Sequence, residues 1–216
     1  YKATEDFAAR EVEWLLGIGG ITLECGKALG RDITLDALRA DFDAVFLGVG
    51  LGGVNDAGLG DGSGVLRNAV DFIAELRQSG CYSEVPVGRR VVVIGGGMTA
   101  VDAAVQATKL GAEEVTIVYR RGASAMSAST VEQRWAQTHG VKIKHWSAPK
   151  EILSEGGKVR GVRFALTEQR ADGGITETDE QFEIAADMVL KAIGQTYAVD
   201  HAGADIALKS GRIATD

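Results

Sequence analysis

Gly95-Gly96-Gly97-Met98-Thr99-Ala100 has the spacing G-x-G-x-x-A and directly follows Val91-Val92-Val93-Ile94. The four branched apolar residues read as a buried strand, and the alanine-rich stretch Thr99 to Leu110 reads as a helix. In that context each small residue has a task. Gly95 makes the tight turn out of the strand. Gly97 lets a pyrophosphate approach bare backbone, and Ala100 lets helix and strand pack closely. Free N–H groups at the helix start, near Met98 and Thr99, face the anion, and the helix dipole favours negative charge there. The chemistry implied is the docking of a dinucleotide.

The end of the next strand candidate, Val115 to Tyr119, selects between nucleotides. An acid about 20 residues beyond the glycines would hold a ribose 2′-hydroxyl. Here Tyr119-Arg120-Arg121 stands instead, and two guanidinium groups can grip a 2′-phosphate. Glu113 and Glu114 come too early, at the strand's beginning. The expectation is NADP(H), with NAD(H) left open.

Other chemistries find no support in the residues. Four residues after Tyr82, Tyr119 and Tyr197 stand Pro86, Ala123 and His201, so no Tyr-x-x-x-Lys pair is formed. His139, His145 and His201 are scattered and read as surface or capping residues. No zinc spacing occurs, and no metal ligand is assigned. Gly20 to Lys27 ends in Gly-Lys, but it is one residue too long for a P-loop and Ala28 follows. No catalytic side chain is assigned. A nicotinamide site without acid, base or metal calls for a second cofactor to take the hydride, and flavin is the usual acceptor.

These residues sit in a chain of 216, about one and a half domains. Twenty-nine glycines against 2 prolines exclude collagen and proline-rich linkers and suggest tight turns close to a ligand. A net charge of −7 argues against a nucleic-acid partner. No apolar run reaches the ~18 residues of a membrane span. Cys25 and Cys81 form no CxxC, and they read as buried or partly buried thiols in a reducing cytosol. The expected localisation is cytoplasmic. Tyr1 is not Met and Asp216 closely follows a strand-like stretch, so a longer polypeptide is expected.

Along the chain, Asp6 to Leu16 reads as an amphipathic helix and Ile21 to Glu24 as a short strand. Thr34 caps a short helix over Leu35 to Leu38. Asp43 to Gly50 reads as a buried parallel strand ending in glycines. Gly50 to Gly64 reads as a flexible acidic loop, and Val65 to Arg77 as a helix. Arg90 to Tyr119 forms a βαβ unit. Thr130 to Gln137 is a helix and Val141 to His145 a strand. Glu151 to Leu153, Val159 to Leu166 and Phe182 to Ile184 alternate between hairpin signals, which predicts an antiparallel meander. Met188 to Gly194 returns to a buried strand, and Ile206 to Ile213 closes as a short hairpin.

Several segments together resemble a family. Gly30-Arg31-Asp32-Ile33-Thr34-Leu35, the run Asp43 to Gly50, the run Gly95 to Asp102, Val118 to Arg121 and Ala192-Ile193-Gly194-Gln195 resemble an FAD- and NADPH-binding reductase. That reductase is shared by the glutamate synthase small subunit and dihydropyrimidine dehydrogenase. Ser129 to Gln133 and Trp146 to Lys150 lean toward the pyrimidine-reducing branch, as an electron-input subunit.

The resemblance implies an α/β fold: a Rossmann-like dinucleotide-binding domain, βαβ plus antiparallel β-meander, inserted into part of an FAD-binding domain. By it, residues 1–84 are part of the FAD domain, 85–190 the NAD(P)H domain, and 191–216 the return segment. It places the FAD fingerprint and the iron–sulphur cysteines before Tyr1, and a Gly-Asp segment after Asp216. It implies a pyrophosphate loop at Gly95, Gly96, Gly97, Met98 and Thr99, and a 2′-phosphate clamp at Arg120 and Arg121. A crossover contact falls at Ala192, Ile193 and Gly194, and FAD-domain contacts at Leu29, Gly48, Val49 and Gly50. Hydride would pass from NADPH to FAD, and electrons would leave through iron–sulphur clusters to a catalytic partner domain or subunit. Two residues depart from the family pattern. Met98 stands where Asn or Asp is usual, which removes a polar contact, and Ser127 stands where proline is common, which loosens the loop after the arginines. A non-catalytic NADP-binding sensor is the rival reading.

Overall fold

The structure, a computed structural model, describes residues 6–59, 66–197, 206–209 and 212–214. It divides into two compact units, residues 1–50 with 197–216, and residues 51–196.

In the first unit, α1 spans Phe7–Gly17 and none of its residues is buried. α2 spans Leu35–Asp41, and the Thr34 side chain caps it by accepting from the Ala37 N–H at 3.2 Å. Ile21 to Glu24, expected as a strand, is irregular and exposed. Asp43 to Gly50 is also corrected. It joins no strand among the described residues, and Phe46 is 95% exposed. Its apolar pattern records a demand for burial. Burial of a parallel strand comes from neighbours on either side and helices on both faces, which an internal run of eight residues cannot supply.

The second unit is built in chain order. It opens with β1 (Gly53–Val54), β2 (Leu66–Asn68) and α3 (Ala69–Gln78). The βαβ unit follows as β3 (Arg90–Ile94), α4 (Met98–Lys109) and β4 (Glu114–Val118), then α5 (Thr130–Thr138) and β5 (Lys142–Lys144). The meander is β6 (Ser147–Glu155), β7 (Lys158–Gln169) and β8 (Ile175–Ala185). β9 (Met188–Lys191) and β10 (Gln195–Thr196) end the unit. A parallel sheet runs β2-β9-β3-β4-β5, and β6-β7-β8 forms a separate antiparallel sheet. In the first unit, β11 (Leu208–Lys209) and β12 (Arg212–Ile213) pair as the closing hairpin.

Two expectations in this unit change. The stretch read as helix from Val65 begins as strand β2, and the helix starts at Ala69. Leu66 pairs with Val189, a partner 123 positions away that no local pattern reveals. The 50–64 loop holds β1, which pairs antiparallel with β10. Residues 60–64 of that loop, Val65, His201 and residues 210–211 lie outside the described residues.

The core explains the order of layers. Side chains alternate along each strand, so one face of the sheet is met by α4 and the other by the meander. Val92, Ile94, Val118 and Val189 pack with Val159, Val162, Phe164 and Ala186. Phe164 and Phe182 stack at 5.6 Å between ring centroids. The continuous Val91-Val92-Val93-Ile94 run is buried because both faces are covered. Asp187 ties the entry of β9 to the start of β3. Its carboxylate accepts from the Arg90 N–H at 3.0 Å and from the Arg90 guanidinium at 2.7 Å.

Candidate functional site

The site grows from the C-terminal end of β3. The Gly95 N–H donates to the Val118 carbonyl at 3.0 Å, which binds the turn to β4. Gly95 has φ +146°, and a Cβ there would lie 2.2 Å from the Ala192 carbonyl oxygen. Only glycine satisfies both conditions. This contact also brings Ala192, after β9, against the glycine turn, and the Ala192 N–H donates to the Ile94 carbonyl at 2.8 Å.

Gly96 lies under the Tyr119 ring, where an added Cβ would come within 2.5 Å of Cδ2. Gly97 stands at the N-cap of α4 without a side-chain capping bond. The orphan N–H groups of the first turn, at Met98 and Thr99, therefore stay available to an anion. Met98 is 57% exposed. Ala100 is buried, as close helix–strand packing requires.

Arg120 and Arg121 follow β4. Arg120 is exposed and Arg121 half-buried. Their backbone is held from the meander side: the Thr167 hydroxyl donates to the Arg120 carbonyl at 2.8 Å, and the Trp146 N–H donates to the Arg121 carbonyl at 3.2 Å. Among the described residues neither guanidinium pairs with a carboxylate. Glu113 and Glu114 sit at the other end of β4, paired with Arg89 at 2.8 Å and Lys142 at 3.1 Å. The Arg89 hydrogen bond holds the Glu113 carboxyl below its usual value.

The segment after the arginines is tied down. The Tyr119 hydroxyl donates to the Ala125 carbonyl at 2.7 Å, and the Ala128 N–H donates to the Gly96 carbonyl at 3.1 Å. The Gln133 side-chain amide donates to the Ala128 carbonyl at 2.9 Å. Ser129 and Glu132 form a capping box on α5. The looseness expected from Ser127 is offset by these bonds.

The glycine loop, Arg120, Arg121 and Ala192 are thus assembled by one unit. Ile193 and Gly194 join them: the Asn55 side chain donates to the Ile193 carbonyl at 3.2 Å, and the Asn55 N–H donates to the Gly194 carbonyl at 3.2 Å. Leu29, Gly48, Val49 and Gly50 belong to the first unit. Leu29 is half-buried in a turn where Gly30 N–H donates to the Ile33 carbonyl at 2.7 Å. Gly48, Val49 and Gly50 are exposed.

Three residues help position the site in ways that nothing in the sequence indicates. Asn55 sits in a glycine-rich loop, Thr167 in an alternating strand, and Trp146 at a junction. Trp146 takes φ +55° and its ring lies under Gly122. The remaining titratable candidates are not drawn in. Cys25 and Cys81, expected to be buried or partly buried, are both exposed. His139 caps α5, its Nδ1 sharing a 2.9 Å hydrogen bond with the Trp135 carbonyl. His145 is half-buried, and burial pushes its imidazole pKa down. Among the described residues no cluster of His, Cys, Asp or Glu could hold a metal, and no helix is long and apolar enough to cross a membrane.

Comparison with known proteins adds to this geometry. The family model described as pyridine nucleotide-disulphide oxidoreductase matches residues 3–216. The chain is 33% identical to the NADP(+)-dependent formate dehydrogenase subunit beta of Moorella thermoacetica, over 99% of this chain and 30% of that protein. It is 32% identical to the NADPH-Fe(3+) oxidoreductase subunit beta of Geobacter sulfurreducens, over 95% of this chain and 32% of that protein. It is 36% identical to the glutamate synthase [NADPH] small chain of Escherichia coli K12, over 78% of this chain and 38% of that protein. The chain therefore spans about a third of the length of these relatives. In fold it is similar to FprA of Mycobacterium tuberculosis in complex with NADPH, with TM-score 0.68 at 20% identity over 87% of this chain and 57% of that one.

Proposed function

The chain belongs to the pyridine nucleotide-disulphide oxidoreductase family, and from that premise we propose that it is the NADPH-docking part of a flavin-dependent oxidoreductase. In the whole protein, hydride passes from NADPH to FAD, and electrons continue to iron–sulphur clusters of a catalytic partner domain or subunit. The names of all three relatives above contain NADP or NADPH, which supports the choice of nucleotide.

The observation that carries the reading is an anion cradle of two parts. The first turn of α4 has no side-chain cap, and Arg120 and Arg121, free of carboxylate partners among the described residues, stand on a loop bonded to Gly96. The N–H groups of Met98 and Thr99 would bind the pyrophosphate. The two guanidinium groups would hold the 2′-phosphate, and Ala192, Ile193 and Gly194 would flank the nucleotide. Bound NADPH supplies the hydride, so the chain's own task is to bind and orient. FAD contacts are assigned to Leu29, Gly48, Val49 and Gly50, and a cytoplasmic setting suits free thiols at Cys25 and Cys81.

Parallel equilibrium titrations with NADPH and NADH test the reading. The wild-type chain should prefer NADPH. Changing both arginines to alanine should weaken NADPH by roughly 10- to 100-fold, the scale of charge-assisted hydrogen bonds, and leave NADH within about twofold. Equal losses for both dinucleotides would remove the clamp.

A further inference from the structure

We infer that Ser127 is a pyrophosphate-binding residue, its hydroxyl aimed at the dinucleotide backbone over the first turn of α4. The inference rests on the dinucleotide site proposed above and adds a hydroxyl donor beside the backbone N–H groups of its pyrophosphate part.

Placement comes first. A Cβ built on Gly97 would lie 3.2 Å from Ser127 Oγ, so this hydroxyl stands over the entrance of α4. Its neighbours fix it there. Met126 is 8% and Ala128 2% exposed, so both flanking side chains are anchored in the core while Ser127 faces outward between them. The Ala128 N–H to Gly96 carbonyl bond, 3.1 Å, attaches this segment to the glycine loop itself. The Gln133 amide holds the Ala128 carbonyl at 2.9 Å from the α5 side.

Chemistry follows from placement. Among the described residues the Ser127 hydroxyl has no hydrogen-bond partner, although it stands beside unused N–H donors of a helix terminus. Those donors repel a further donor proton and attract an anion. A phosphate oxygen placed between them would accept from both the backbone N–H groups and the hydroxyl. Met98, at the head of the helix, offers only a thioether, a weak acceptor that cannot donate to phosphate. Ser127 therefore supplies a side-chain donor where Met98 cannot. Because the pyrophosphate is common to NADPH and NADH, the contact does not distinguish them.

The test uses the full chain, Ser127→Ala and Ser127→Thr, titrated with NADPH, NADH and adenosine 2′-monophosphate, which lacks the pyrophosphate. Ser127→Ala should weaken NADPH and NADH alike, by roughly tenfold, the loss of one hydrogen bond to a charged group. Adenosine 2′-monophosphate should bind Ser127→Ala as it binds wild type, and Ser127→Thr should restore both dinucleotides to within about threefold. Unchanged dinucleotide affinity in Ser127→Ala would overturn the inference. So would a loss that extends to adenosine 2′-monophosphate, which would make Ser127 a structural element of the arginine loop, or a loss confined to NADPH. A wild-type chain that binds neither dinucleotide would defeat the site itself, and that outcome is read before any variant.

Discussion

Gly95 and Gly97 occupy equivalent places in a motif but face different constraints. At Gly95 a side chain would meet the Ala192 carbonyl oxygen at 2.2 Å on a backbone with φ +146°. At Gly97 the nearest atom to a built Cβ is the Ser127 hydroxyl oxygen at 3.2 Å, and φ is −99°, open to any residue. Gly95→Ala should therefore cost about 2–4 kcal/mol of folding stability, from backbone strain and overpacking together. Gly97→Ala should leave the urea midpoint near wild type and instead weaken NADPH, because the methyl group occupies the approach path of the pyrophosphate. Urea unfolding and NADPH titration on both variants check this. Two variants with the same pattern would show that the two glycines serve one purpose. The sequence identified both positions but could not rank them, because the clash partner of Gly95 lies 97 positions away.

At the scale of elements, β3 and β9 are joined through a charged hinge at their beginnings. The Arg90 guanidinium, by hydrogen bonding, holds the Asp187 carboxyl below its ordinary value of 3.8. A carboxyl with a depressed folded-state pKa contributes stability that is complete above its unfolded pKa and is lost as pH falls through the folded one. The loss belongs below about pH 4. Both partners are part-exposed, so the effect is modest. Asp187→Asn should lower the melting temperature at neutral pH and flatten its fall between about pH 4 and pH 2. A variant with the wild-type acid limb would mean that other carboxylates account for it. Elements were legible where local pattern and tertiary role agreed. The run Val91 to Ile94, the helix after Gly97 and the alternating meander all stand as read. In the sequence Leu66 to Asn68 reads as part of the helix, because an edge strand entering a helix directly leaves no turn residue to mark the change.

At the scale of the molecule, the residues assigned to NADPH all fall in the unit 51–196, whereas Leu29 and Gly48 to Gly50 fall in the other. A fragment of residues 51–196 should bind NADPH within about threefold of the full chain, since its sheet, meander and anion cradle are internal. Isothermal titration of the two proteins measures this, and a fragment that folds cooperatively but fails to bind would show that the first unit completes the site. The net charge of −7 does not oppose an anionic ligand here. Glu113 and Glu114 are paired with Arg89 and Lys142 at the beginning of β4, and Arg120 and Arg121, without carboxylate partners among the described residues, lie at its other end, where the nucleotide site is proposed.

The sequence alone determined the βαβ unit, the glycine loop, the arginine pair beyond it and the meander. Each is written in short-range terms: branched runs, small residues at fixed spacing, alternation between turns. Only the tertiary structure decided that Ala192 closes on Gly95, that Thr167 and Trp146 hold the arginine backbone, that Asn55 supports Gly194, and that Ser127 stands over α4. Those contacts join residues remote along the chain, and their side chains are ordinary until folding sets them beside the loop. The same reason explains the Asp43 to Gly50 run. Hydrophobic pattern states that a segment is suited to burial, and only the neighbours it finds decide whether burial occurs.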